Sequence, residues 1–205
     1  MKRAYLICVL ALFICTGCQF SGYYHQNYLP ADQTMGEAVP GKGLILTEVS
    51  DDNYDFKAGP TSLTGSATQL GLPLGVITRE IARVVFGRVF ADGVDHSNEL
   101  KNPTSYKLII KPRTVSLEYR YNQLRNLGFA VTPQVNIRLE VTLLDNSKKI
   151  LLRKNYDSGY TSGDTYFVSG APGENVNRAV HKVLYQLLKQ AVTDAQTLLR
   201  NAPAS

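Results

Sequence analysis

Apolar and polar residues alternate without a break over residues 134–144. Val135, Ile137, Leu139, Val141 and Leu143 fall on one face, and Gln134, Asn136, Arg138, Glu140 and Thr142 on the other. A period of two over that length predicts a strand with one buried face. Asp145-Asn146-Ser147-Lys148 then reads as a hairpin turn that returns residues 150–156 antiparallel. Upstream, residues 106–111 and 114–121 predict one or two strands interrupted by Pro112, which cannot donate to a central ladder and points to a bulge or an edge. A first strand is expected at residues 43–49, bounded by turn formers on both sides.

Two stretches change period from two to 3.6. Between Pro73, a residue favoured at the first helical position, and Gly93, one stripe holds Val76, Ile77, Ile81, Val84, Val85 and Val89, with Arg79, Glu80, Arg83 and Arg88 opposite. Gly75 and Gly87 within it weaken a helix by about 1 kcal/mol each relative to Ala and mark close packing. From Glu174 to Asn201 the positions Val176, Val180, Val183, Leu184, Leu187, Leu188, Ala191, Ala195, Leu198 and Leu199 hold the helical period throughout. The element order predicts an α+β fold, a two-layer sandwich. A mostly antiparallel sheet of about four strands would carry two helices on one face and leave the other wet. Residues 50–71 and 157–173 are expected as long loops, and 19–42, rich in Tyr, Gly, Pro, Asn and Gln, as a tether.

Composition sharpens this picture at one place. The chain has 205 residues, 44% hydrophobic and 19% charged, enough for one globular domain and unlike a disordered or multi-span membrane chain. Its three cysteines, Cys8, Cys15 and Cys18, all lie in the first 18 residues. Met1 to Gly17 has a charged start, Lys2 and Arg3, then an apolar run from Ala4 to Ile14, then small residues. A bilayer span takes about 20 apolar residues, so this shorter run predicts an export signal. The segment Ile14-Cys15-Thr16-Gly17-Cys18 resembles the bacterial lipobox, with Cys15 standing where that family usually has Leu. The resemblance implies a signal peptide over 1–17 and a Cys18 that is diacylated on sulfur, becomes the new N-terminus and is N-acylated, which palmitate labelling would report. Gln19, in place of the Asp associated with inner-membrane retention, implies the outer membrane, with the body facing the periplasm. The expected organisation is signal peptide 1–17, lipidated tether 18–42, one periplasmic domain over 43–201 and a tail at 202–205.

Removing residues 1–17 takes Lys2 and Arg3 with it and lowers the formal net charge from +5 to +3. That surplus is small and scattered, so no nucleic-acid partner is expected. No thiol remains downstream of Cys18 for a disulfide, a zinc site or a nucleophile. Residues 36–43 meet the phosphate-loop pattern as far as Lys42, then place Gly43 where Ser or Thr must bind magnesium, and they precede a strand instead of following one. His25, His96 and His181 have no partner at metal-ligand spacing and are expected to be solvated, without catalytic or metal roles. Asp51, Asp52 and Asp55 lack the spacing and central glycine of a calcium loop and read as a solvated acidic turn. No enzyme activity, metal or cofactor is expected.

What remains is a set of loops whose Tyr, Gly and Ser composition suits adaptable contact surfaces. Leu127 and Phe129 in residues 122–133, and Tyr160, Tyr166 and Phe167 in residues 157–173, are the candidate partner contacts. The plan of lipobox, tether and small α+β body resembles outer-membrane lipoproteins that serve transport and assembly machines, among them the auxiliary lipoproteins of envelope ABC transporters. The function this implies is a non-enzymatic accessory or assembly component of a cell-envelope complex. The alternative is a periplasmic carrier that binds a lipid or a glycan. The oligomeric state is not legible.

Overall fold

The computed structural model describes residues 18–31, 37–122, 130–167 and 172–201. The signal region, Leu127, Phe129 and the tail lie outside the described residues. Ten strands and three helices follow in the order β1 (Cys18–Ser21), β2 (Gly43–Leu46), α1 (Val49–Asp52), β3 (Phe56–Ala58), β4 (Thr68–Leu72), α2 (Leu74–Phe86), β5 (Val94–Ser97), β6 (Leu108–Asn122), β7 (Ala130–Leu144), β8 (Ile150–Asp157), β9 (Thr161–Ser162), β10 (Tyr166–Phe167) and α3 (Pro172–Asn201). None of these helices is long and apolar enough to cross a membrane.

The class is α+β, and the strand count and pairing correct the expectation of about four mostly antiparallel strands. The main sheet runs β5-β2-β6-β7, with β8, β9 and β10 sharing the far edge of β7, and it is mixed: β2 lies parallel to both β5 and β6. A second sheet, β1-β4-β3, pairs β1 parallel to β4 and β3 antiparallel to β4. Its short strands come from stretches read as tether and loop. They leave no alternation in the sequence because each is short: β3 buries only Phe56 and β4 only Leu70 and Leu72, and β1 is brought to β4 from far along the chain.

The central hairpin follows the pattern that predicts it. Val135, Ile137, Leu139, Val141 and Leu143 of β7 are all fully buried against the helices, each aliphatic side chain adding roughly 1.5–3 kcal/mol by leaving water. β6 is one continuous strand. Pro112 lies two residues beyond Ile110, the last residue paired with β2, so the ladder to β2 ends before the missing donor is felt, and the register shift falls at Thr114/Ser116. In the turn, Asp145 Oδ1 accepts from the backbone N–H groups of Ser147 and Lys149, and Lys148 takes a positive φ of 69°.

Both long helices cover one face of the main sheet. On α2, Leu74, Ile77, Ile81, Ala82, Val85 and Phe86 are buried, and Thr78 Oγ1 hydrogen-bonds both Leu74 O and Thr114 Oγ1 at 2.7 Å, tying the helix to β6. The opposite sheet face is largely polar, although Leu44 and Ile109 are buried on it.

Residues 18–31, within the stretch assigned to a tether, lie on the body. Phe20 and Tyr24 pack against the core and Leu29 is buried. Gly22 N–H donates to Gly71 O (2.9 Å), Asn177 Nδ2 to Tyr23 O (2.9 Å) and His25 N–H to His181 Nε2 (3.0 Å). These apolar side chains give the segment enough to bury for docking, without a period that would announce it.

Candidate functional site

The contact candidates that the structure describes gather beside one end of the β6–β7 hairpin. β10 pairs Tyr166 with Val131 and Phe167 with Ala130, where β7 begins. Phe167 projects there and is 75% exposed. Tyr166 instead turns inward: its hydroxyl is hydrogen-bonded to that of Tyr121, and burial raises the pKa of both phenols. Tyr119 continues this aromatic column, edge-on to Tyr121 at 5.7 Å, and burial pushes its phenol up to about 12. Tyr160 is fixed on the open sheet face, where its hydroxyl donates to Glu118 Oε2 (2.9 Å) and the Arg120 guanidinium stacks 3.9 Å from its ring centroid. The three are therefore not one patch. Phe167 is the free contact, Tyr166 closes the core, and Tyr160 belongs to a polar ladder.

The open face of the sheet holds a charged cleft of about 180 Å³, lined by Glu48, Asp51, Lys111, Arg113, Glu140 and Arg153 over Leu46, Leu144 and Ile150. Lys111 Nζ donates to Glu48 Oε1 (3.0 Å) and Arg153 to Glu140 Oε1 (3.1 Å), and each cation holds its carboxyl below the usual range. Burial raises Asp51 instead. A second hollow of about 220 Å³ adjoins it at Asp51, Arg113 and Val115. Of the acidic cluster expected as a solvated loop turn, Asp51 and Asp52 thus lie in a short helix, α1, while Asp55 is exposed beyond its end. Its Asp52 binds Arg79 Nη1 with both carboxylate oxygens at 2.6 Å, while Asp51 turns into the cleft. Paired carboxylates and guanidinium groups in a shallow hollow suit a polar or zwitterionic contact. Two of its three carboxylates are poor proton donors because the ionised form is held.

Two of the three histidines correct the sequence reading, whereas His25 is exposed as expected. His181 is fully buried on α3, where Nδ1 donates to Asn177 O (2.8 Å) and Nε2 accepts the backbone N–H of His25. That pattern assigns one neutral tautomer with both ring nitrogens satisfied. Tyr24 stacks on the ring at 5.8 Å and Tyr28 meets it edge-on at 5.3 Å. Burial drives its pKa down to about 4. His96 is half-buried and hydrogen-bonds Thr47 Oγ1 (2.8 Å), and burial lowers its pKa too. Beside the His25–His181 contact lies a polar hollow of about 280 Å³ lined by Ser21, Tyr23, His25, Tyr28, Glu174 and Asn177, whose buried Oδ1 has no partner. The helical pattern of residues 174–201 carries a signal for this site, since it places His181 on the same stripe as Val180, Val183 and Leu184. No group of three or more His, Cys, Asp or Glu arranged for a metal ion occurs among the described residues.

No family model matches the chain, and no curated protein does. Solved structures with a similar layout include a protein from Helicobacter pylori named as a homologue of the neuraminyllactose-binding hemagglutinin. It is 7% identical, over 84% of this chain and 96% of that one, with a TM-score of 0.45. PelC of Paraburkholderia phytofirmans, a dodecamer, is 11% identical over 77% and 94%, with a TM-score of 0.37. Lipoprotein B of Nitrosomonas europaea is 14% identical over 83% and 89%, also at 0.37. At these values the likeness is one of general layout.

Proposed function

We propose that the chain is a lipoprotein anchored at Cys18 in the outer membrane and facing the periplasm, where it acts as a non-enzymatic accessory or assembly component of a cell-envelope complex. The observation that carries this reading is the apolar run ending in Ile14-Cys15-Thr16-Gly17-Cys18, the pattern that lipid attachment requires. Three acyl chains on one residue exceed the single chain that gives only marginal membrane binding, at about 0.8 kcal/mol per buried methylene. Replacing Cys18 by Ser should abolish palmitate labelling and release the protein from the outer-membrane fraction; unchanged labelling and fractionation would defeat the anchoring claim.

The choice of docking over carriage rests on how the interior is filled. Ile77, Ile81, Val85, Leu108, Ile110, Val135, Ile137, Leu139, Val180, Leu184 and Leu188 meet between sheet and helices at 0% exposure. The hollows described above lie instead on polar surface. A lipid carrier needs a concave apolar site, and close packing of this kind among the described residues speaks for contact through the surface. A photo-crosslinker at Arg153, in the charged cleft of the open sheet face, should capture a partner protein in cells. Recovery of uncrosslinked protein alone from this position and from Tyr160, on the same face, would count against docking there.

A further inference from the structure

The β1–β4 register places Cys18 against Thr68, so the residue read as the lipid attachment point begins a strand of the folded body with no spacer between them. The same end of the molecule collects the loop before β4, the open end of the β6–β7 hairpin and β10. Thr61 N–H donates to Tyr119 O, and Ser62 Oγ accepts Tyr121 N–H at 2.9 Å, which fixes the 59–67 loop to the end of β6. Phe167 sits opposite Ala130, across β7 from that point.

Two features set this end apart. Residues 18–31, 58–73, 130–137 and 165–167 contain no Asp, Glu, Lys or Arg, in a chain that is 19% charged. From these segments project Leu63, 91% exposed, and Phe167, 75% exposed, the two most exposed large apolar side chains among the described residues, while the charged Glu118 and Arg120 of β6 lie beside them on the open face around Tyr160. The other end of the sheet is the reverse, with Lys42, Asp92, Asp95, Lys107, Asp145, Lys148 and Lys149. Headgroup and acyl layers penalise buried charge and reward apolar and aromatic side chains inserted at shallow depth.

We propose that this end is a membrane-contact surface: the body sits flush on the bilayer that holds the Cys18 acyl chains, with Leu63 and Phe167 inserted at the level of the lipid headgroups. The occupant is a lipid surface, and the proposal rests on the lipid attachment of Cys18 proposed above. Seating of this kind directs the charged end of the sheet away from the membrane.

The test uses the mature full-length protein carrying Leu63→Cys, Phe167→Cys or, as the control, Asn146→Cys. Each is labelled with nitrobenzoxadiazole and reconstituted into phosphatidylethanolamine–phosphatidylglycerol vesicles with doxyl groups near the headgroup. Asn146 stands in the hairpin turn at the far end of β7, roughly 45 Å away at about 3.3 Å per residue. Probes at 63 and 167 should be quenched several-fold more than the probe at 146. The mass of the N-terminal peptide is read from the same preparations. Acylated Cys18 with equal quenching at all three positions overturns the seating and leaves attachment standing, whereas unmodified Cys18 overturns both.

Discussion

His181 shows what one buried side chain does in this protein. Its neutral ring joins the last helix to residues 18–31 across 156 residues of sequence, through a nitrogen that can accept the His25 N–H only while it carries no proton. The native pKa of about 4 lies below the unfolded value of about 6.5, so the folded state resists a proton that the unfolded state accepts. Stability from this group is complete above about pH 6.5 and is lost as the pH falls toward 4, by a total on the order of 3 kcal/mol at about 1.4 kcal/mol per unit. Urea unfolding at pH 7 and pH 4 should therefore show a larger loss in the native chain than in His181→Gln, which keeps a polar side chain without the titration. Equal losses would remove His181 from the account of acid sensitivity.

At the scale of elements, α1 and α2 meet where a side chain has no room. Gly75 N–H donates to Tyr54 O, and a Cβ on Gly75 would overlap the carbonyl oxygen of Asp51. Alanine there gains up to about 1 kcal/mol of helix propensity, yet it forces two backbones apart at a cost of about 1–3 kcal/mol. Gly75→Ala should lower the urea midpoint, and the shift should exceed that of an alanine at Gly93, where nothing stands near the added methyl and the strain is that of a positive φ of 70° alone. The sequence pointed to close packing at Gly75, and it placed β7, β8 and α3 to within a few residues, because each of these buries a long face with a repeating period. α1, β1, β3 and β4 left no such record. Their pairing is carried by backbone groups, and the residues that supply it carry no side-chain pattern.

The whole molecule is polar along the axis of its sheet. One end holds Cys18, Leu63 and Phe167 on segments without charged side chains; the other carries lysines and aspartates, and the cleft between Glu48, Asp51, Arg113 and Glu140 lies on the open face between them. The proposed seating on lipid would leave the open face and the charged end for the proposed protein partner. Reversing charge in the cleft by Arg113→Glu should then reduce capture of a partner while leaving palmitate labelling and membrane fractionation unchanged. A loss of fractionation would show that the cleft, and not the anchor, holds the protein at the membrane.

The sequence by itself determined the elements whose signals are local: the apolar run and the cysteine that closes it, the alternating face of β7, the turn at Asp145 and the long stripe of the last helix. Tertiary structure alone decided which distant residues meet. It put Cys18 beside Thr68, buried His181 under His25, folded a stretch read as tether onto the body, and turned Tyr166 inward while leaving Phe167 free. The physical reason is the range of the forces involved. A period of two or 3.6 is written in neighbouring residues, whereas a hydrogen bond across 156 positions leaves no trace until the chain has closed around it.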